Sequence, residues 1–268
     1  MYNFTDTNKA STANNTLPTE ALKFNGEWFD RVIPGFRTIS VSGRETMQAE
    51  VLNRDNTTTH GKRFIRKQYP PRIITVRYRL EATSPADFRN AFNLLNSKLN
   101  VDEKQIIFND EPTKYFVGTR QGMGETEPGL NCVTGEIEFY CSDPFKYSTT
   151  YTEVTMNKSQ GQVITADTVV PTPVIIVITP TFNITSMQLK GVATSTTTGK
   201  DSPIIIKNVQ DGQIITIDGE ACTLKQGNTN KFNDTDMWEF PTFKPGSNSI
   251  ICDNNKCNIT FKYRARYI

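Results

Sequence analysis

Two periods run through this chain. Ile74, Val76, Tyr78 and Leu80 alternate with Thr75, Arg77, Arg79 and Glu81. Further on, Val133, Ile137 and Phe139 alternate with Thr134, Glu136 and Glu138. A period of two predicts strands over 72–81 and 133–140, each with one face on a core. Between them the period changes: Phe88, Ala91, Phe92, Leu95 and Leu99 recur at helical spacing, predicting one apolar stripe laid on a sheet, with both phenylalanines in the core. The helix start is marked. Ser84 suits the N-cap, Pro85 the first helical position, and Asp87 a capping-box-like place near the positive end of the dipole. Weaker signals predict strands at 22–29, turning at Asn25-Gly26, and at 44–52, 105–108 and 114–119. Residues 53–61 read as a polar turn, and 121–131 as a Gly-rich, acidic hairpin loop. Gly122, Gly124 and Gly129 do not lead from a strand into a helix, which excludes a phosphate-cradling loop. These elements predict an α+β domain, mostly antiparallel strands with one packed helix.

The pattern breaks at Cys141-Ser142-Asp143-Pro144-Phe145-Lys146-Tyr147. Pro144 removes a ladder donor and biases Asp143 towards an extended or turn conformation. An ordinary strand end reads this way, and so does a domain boundary whose aromatics pin the chain's exit; the change in element type favours the boundary. The division expected is a flexible polar arm over 1–21, a first domain over 22–147 and a second over 148–268. In the second no amphipathic helix is evident. Short strand candidates at 174–179, 187–190, 203–209, 213–218, 221–224, 238–243, 249–253 and 257–264 are separated by turn residues, as in an all-β sandwich or jelly roll. Residues 173–179 are almost continuously apolar and read as a strand buried on both faces.

Composition narrows the functional classes. The chain has 268 residues and a formal net charge of +2, divided evenly between the halves before and after Tyr147, without the basic excess of a dedicated nucleic-acid binder. No apolar run reaches membrane-spanning length, and residues 1–19 lack a signal-peptide core. Five cysteines do not suggest a secreted disulfide framework. Cys252 and Cys257 bracket a turn-like stretch and read as free thiols in a reducing compartment. His60 is the single histidine, so a zinc site through Cys222, Cys252 and Cys257 would have no histidine near it. No serine or cysteine sits in a nucleophile motif, and the pairs Asp234/Asp236 and Glu125/Glu127 fall in loops. The expectation is no enzyme, no metal and no cofactor.

Two stretches remain as candidate surfaces. Lys62, Arg63, Phe64, Ile65, Arg66 and Lys67 place four basic residues around an apolar pair. This reads as a solvated hairpin arm, or as a contact for an acidic partner or a nucleic-acid backbone. Trp238 and Glu239, with Phe240 and Phe243 close by, read as core anchors or as an aromatic sugar platform with a polar group.

Several pieces in order resemble the distal tail proteins of long-tailed bacteriophages: Phe24-Asn25-Gly26, the 72–80 strand with the 84–99 helix, and the 141–147 stretch. Later come Pro173-Val174-Ile175, Gly212-Gln213-Ile214-Ile215-Thr216-Ile217-Asp218, Phe240-Pro241, Pro245-Gly246-Ser247-Asn248-Ser249-Ile250 and a closing strand over 258–267. The resemblance implies a ring-forming first domain, usually hexameric, that continues the tail tube around a DNA channel. It also implies an outward galectin-like or carbohydrate-module-like sandwich. The protein would be a virion hub made in the host bacterial cytoplasm. Its partners would be further copies of itself, the tail tube protein, the tail-tip hub or tail-associated lysin, and receptor-binding or other baseplate proteins. DNA would pass only as cargo, and no membrane insertion is implied. No catalytic residues carry over, and neither does the galectin pattern of His, Asn, Arg and Trp, since the second domain has no histidine. A ring needs complementary patches. Lys62, Arg63, Phe64 and Ile65 are the candidates for one, Glu125 and Glu127 for the other. The alternative function is binding of host-surface carbohydrate through the second domain.

Overall fold

The structure, a computed structural model, describes residues 16–56, 60–124, 131–157 and 160–268. The chain forms two compact units that divide between Lys146 and Tyr147.

In the first unit, seven strands pair antiparallel along one path: Glu27–Trp28, Leu22–Phe24, Lys104–Phe108, Lys114–Met123, Cys132–Cys141, Arg72–Glu81 and Phe36–Ser42. Arg72–Glu81 pairs over its whole length with Cys132–Cys141. Ile74, Val76, Tyr78 and Leu80 are fully buried, as the alternation predicts. Opposite Tyr78 stands Gly135, where a Cβ would fall 2.8 Å from the tyrosine hydroxyl. The ring fills the place of the missing side chain. Burial lifts that hydroxyl's pKa to about 12.

The helix Pro85–Leu99 starts as its sequence predicts. The Asp87 amide donates to Ser84 Oγ at 3.1 Å, and that hydroxyl donates to Asp87 Oδ2 at 2.7 Å. A cap of this kind contributes about 1 kcal/mol. Ala91, Leu95 and Leu99 are buried, whereas Phe88 and Phe92 are only partly so, their rings 6.1 Å apart and tilted by 40° to each other, packed against the core.

Three first-unit expectations are corrected. The strand expected over 44–52 lies instead at Glu50–Asp55, taking in residues assigned to a turn. The loop expected from 121 begins later, because Lys114–Met123 runs on past a bulge between Arg120 and Gly122. Phe36–Ser42, unanticipated, forms the sheet edge.

The second unit consists of two antiparallel sheets sharing one apolar core. The first has the order Thr152–Asn157, Cys257–Tyr263, Thr172–Pro180, Ile215–Asp218, Thr223–Gln226, Thr229–Asn230. The second has the order Gly161–Ala166, Gly246–Cys252, Ile184–Lys190, Ile204–Val209, Thr235–Asp236. Val174, Ile176 and Ile178 from one sheet meet Met187, Leu189, Ile204 and Ile206 from the other in that core. Each such side chain contributes about 1.5–3 kcal/mol by leaving water. Thr172–Pro180 alternates between buried and half-buried residues instead of burying both faces. The strand expected over 238–243 shrinks to Thr242–Phe243, while Thr152–Asn157 and Gly161–Ala166 are additional. All five cysteines are free; Cys252 and Cys257 are buried and Cys222 is exposed.

Candidate functional site

The feature that stands apart is a two-stranded ribbon, Glu50–Asp55 with Lys62–Gln68, which is not part of the first unit's larger sheet. All of its strand residues are exposed. Phe64 is 61% and Ile65 57% accessible, with Val51 at 53%.

Its base is rigid. Gly43 has φ +86°, and a Cβ there would lie 2.1 Å from the Ile73 carbonyl oxygen, so only glycine fits. The buried Arg72 donates from Nε to the Pro144 carbonyl at 2.9 Å. Its Nη1 donates to the carbonyls of Gly43 at 2.8 Å and Glu45 at 3.2 Å. Burial lowers its pKa, with Cys141 and Glu45 pulling the other way. Arg44 forks onto both oxygens of Asp110 at 2.8 Å, reaches Glu20 at 2.8 Å and covers the Phe108 ring. Burial alone would lower the Arg44 pKa, but Asp110 and Glu20 outweigh it and the value is raised. On the returning strand, Lys67 lies 4.8 Å from the Tyr69 ring, and Tyr69 meets Phe145 edge-on at 5.8 Å.

Register decides what the ribbon presents. The strands pair from Glu50↔Gln68 to Asp55↔Lys62, with a slip after Leu52 that leaves Ile65 as the extra residue of a bulge. Cross-strand partners share a face, so one face carries Val51, Asn53, Asp55, Lys62, Phe64 and Lys67. The other carries Glu50, Leu52, Arg54, Arg63, Arg66 and Gln68. Arg54 and Arg63 stand directly opposite each other, a like-charge pairing that disfavours the ribbon by itself. Isolated two-stranded hairpins are marginal in water. A ribbon with exposed apolar groups and opposed arginines is chemically suited to a surface that covers the former and neutralises the latter.

Sequence reasoning found Lys62, Arg63, Phe64 and Ile65, and the structure places all four on this ribbon. It missed Val51 and Leu52 on the pairing strand, whose signal was an apolar pair within an otherwise polar stretch. Glu125 and Glu127 lie outside the described residues.

The other candidate pair divides. Trp238 is 92% exposed and anchors nothing, whereas Phe243 is fully buried. Glu239 is occupied: its Oε1 accepts from the Thr196 amide at 2.9 Å and hydroxyl at 2.8 Å, which holds its pKa below the usual carboxylate range.

Comparison with known proteins is consistent with this architecture. Residues 25–141 match the family model described as phage tail protein RIFT-related domain. Residues 167–267 match the model described as siphovirus-type tail component, C-terminal domain. No curated protein matches the sequence. Among solved structures, the crystal structure of SPP1 Dit is similar over 92% of this chain and 99% of its own, with a TM-score of 0.76 at 15% identity. That protein is described as a paradigm of hub adsorption apparatus in Gram-positive infecting phages. A chain of the phage P2 baseplate in its activated conformation with calcium is similar at TM-score 0.52 and 12% identity, over 90% of this chain and 93% of that one. A chain of the strontium-activated p2 baseplate gives TM-score 0.53 and 11% identity, over 92% and 98%. At these identities the structural likeness is one of fold. Two tail-protein family models, in order and covering most of the sequence, establish that the chain belongs to the distal tail protein family of siphovirus-type phages.

Proposed function

We propose that copies of this chain close into a ring, six by the family resemblance, joining the tail tube to the tail-tip and receptor-binding machinery around a channel for DNA. The first unit forms the ring. The second, galectin-like in architecture, faces outward and docks other baseplate proteins. The chain is made in the host bacterial cytoplasm and acts in the virion without catalysing a reaction. The observation that carries this reading is the exposed ribbon, whose apolar and basic residues fit a neighbouring copy. Phe64 and Ile65 supply the desolvated contact, and Lys62 and Arg63 set the register against an acidic patch that includes Glu125 and Glu127. The test is light scattering coupled to size exclusion on the Phe64→Ala/Ile65→Ala variant. The expected result is a monomer with an unchanged circular dichroism spectrum; a ring indistinguishable from wild type removes the ribbon from the interface.

A second reading, contact with carbohydrate through the second unit, is supported by one observation: Trp238 is almost wholly in solvent. An exposed indole is a natural stacking surface for a sugar ring, and Glu239, already held by Thr196, is placed beside it in the chain.

A further inference from the structure

A different part of the second unit carries more than Trp238 does. Where Ile204–Val209 ends, the chain turns through Asn208, at φ +53°, and Gly212, at φ +70°, before entering Ile215–Asp218. This turn separates two abutting hollows. One, of about 540 Å³, is bordered by Asn183, Thr185, Asn208, Gln210, Asp211 and Gln213. The other, of about 310 Å³, shares Asn208, Gln210 and Gln213 and adds Gln226, Asn230, Lys231 and Asp234.

The lining is dominated by carboxamides. Each offers two donors and one acceptor in a plane. Among the described residues, the side chains of Gln210, Gln213 and Gln226 make no hydrogen bond within the protein. Others hold the frame. Asn208 Nδ2 donates to Asp234 Oδ1 at 3.0 Å, and the buried Lys231 donates to Asp234 Oδ2 and to the Asn208 carbonyl, both at 3.1 Å. Lys231 and Asp234 therefore cancel in charge, leaving Asp211 as the remaining ionisable side chain of the two hollows. Next in the chain to Lys231, Phe232 is partly exposed, its ring edge-on to Phe240 at 5.9 Å.

We infer that this groove binds an uncharged polyhydroxylated chain, an oligosaccharide of neutral sugars. A sugar hydroxyl both donates and accepts, which is what a free carboxamide can answer on both counts. Two hollows in succession suit a chain of rings more than a single ring. The lone uncompensated carboxylate disfavours phosphate- or carboxylate-bearing polymers. The inference shares its ligand class with the second reading above but none of its residues.

The test applies the full-length protein to immobilised maltohexaose, cellohexaose and chitohexaose, with a poly(glycerol phosphate) as the anionic comparator, followed by calorimetry on any sugar retained. One neutral chain is expected to bind. Gln210→Ala/Gln213→Ala should weaken it about tenfold, the loss expected for two ligand-facing amides, with the circular dichroism spectrum unchanged. Trp238→Ala should change it less than about twofold. Binding that survives the double amide variant and vanishes with Trp238→Ala would overturn the groove while sparing the second reading. Retention of the anionic polymer alone would overturn the groove's proposed ligand class. Absence of any neutral ligand at millimolar concentration would overturn both.

Discussion

Strands Lys62–Gln68 and Arg72–Glu81 lie three residues apart and are both rich in basic side chains, yet their circumstances are opposite. Arg72–Glu81 is paired on both edges, and every second residue is buried. Lys62–Gln68 is paired on one edge and buries nothing. The first strand is held by tertiary burial. The second has only cross-strand hydrogen bonds and weak side-chain pairing, which do not stabilise a lone hairpin in water. The contrast separates residues that fold this chain from residues suited to meet something else.

The largest expected effect tests that separation directly. Ile74→Ala should cost about 2–5 kcal/mol by opening a cavity, whereas Phe64→Ala should shift stability by no more than about 0.5 kcal/mol. Urea unfolding of the two variants measures both, and equal losses would break the contrast. Next in size is the joint between the regions. Arg72→Met removes the donors to the Gly43, Glu45 and Pro144 carbonyls and should cost about 1–3 kcal/mol. Limited proteolysis should then cut near residues 43–50 sooner than in wild type. Charge reversal of Lys62 and Arg63 should leave the melting temperature alone and, if the proposed ring forms through the ribbon, slow its assembly at low salt. That difference should fade as ionic strength passes 0.1 M, where charges are screened over about 10 Å; stopped-flow light scattering would follow it.

The smallest effect concerns ion pairs. Glu111 accepts from Lys114 at 2.8 Å and from Lys146 at 3.1 Å. Burial pushes its pKa up, but those two lysines outweigh burial and hold it below the ordinary value of 4.5. A depressed carboxylate stabilises the fold above its unfolded pKa and loses that contribution as pH falls through the lower folded value. Wild type should therefore lose its advantage over Glu111→Gln below about pH 4.5. The advantage itself should stay under about 1 kcal/mol, since the carboxylate is 32% exposed. In the ribbon, the largely exposed Lys62–Asp55 pair should be silent, with Lys62→Ala within about 0.5 kcal/mol of wild type.

Local chemistry made part of this architecture legible. Arg72–Glu81 announces itself because its buried positions are all apolar after Arg72, and the helix because Ser84, Pro85 and Asp87 fix where it begins. Phe36–Ser42 is hidden for two reasons. A bulge between Thr38 and Ser40 shifts the period, and one of its buried residues is Thr38, a polar group satisfied by Asp30 at 2.7 and 2.9 Å. Thr152–Asn157 escapes notice because Met156 is its one buried residue. At the ribbon, the basic run and apolar pair could be read from sequence, but the partner strand and the bulge at Ile65 could not, since pairing is long-range and register leaves no mark in composition. Trp238 shows the reverse error: an aromatic next to two others invites a core assignment, yet residues 237–241 lie outside any strand.

The rooted base of the ribbon has a mechanical consequence. A seven-residue strand reaches about 23 Å, and its base is held by six hydrogen bonds from Arg44 and Arg72 at 2.8–3.2 Å and by the close approach of Gly43 to the Ile73 carbonyl. A strip clamped at one end is a cantilever. Load applied near Phe64 would arrive at the clamp as torque, and the clamp opens directly into Arg72–Glu81, next to the edge of the first unit's sheet.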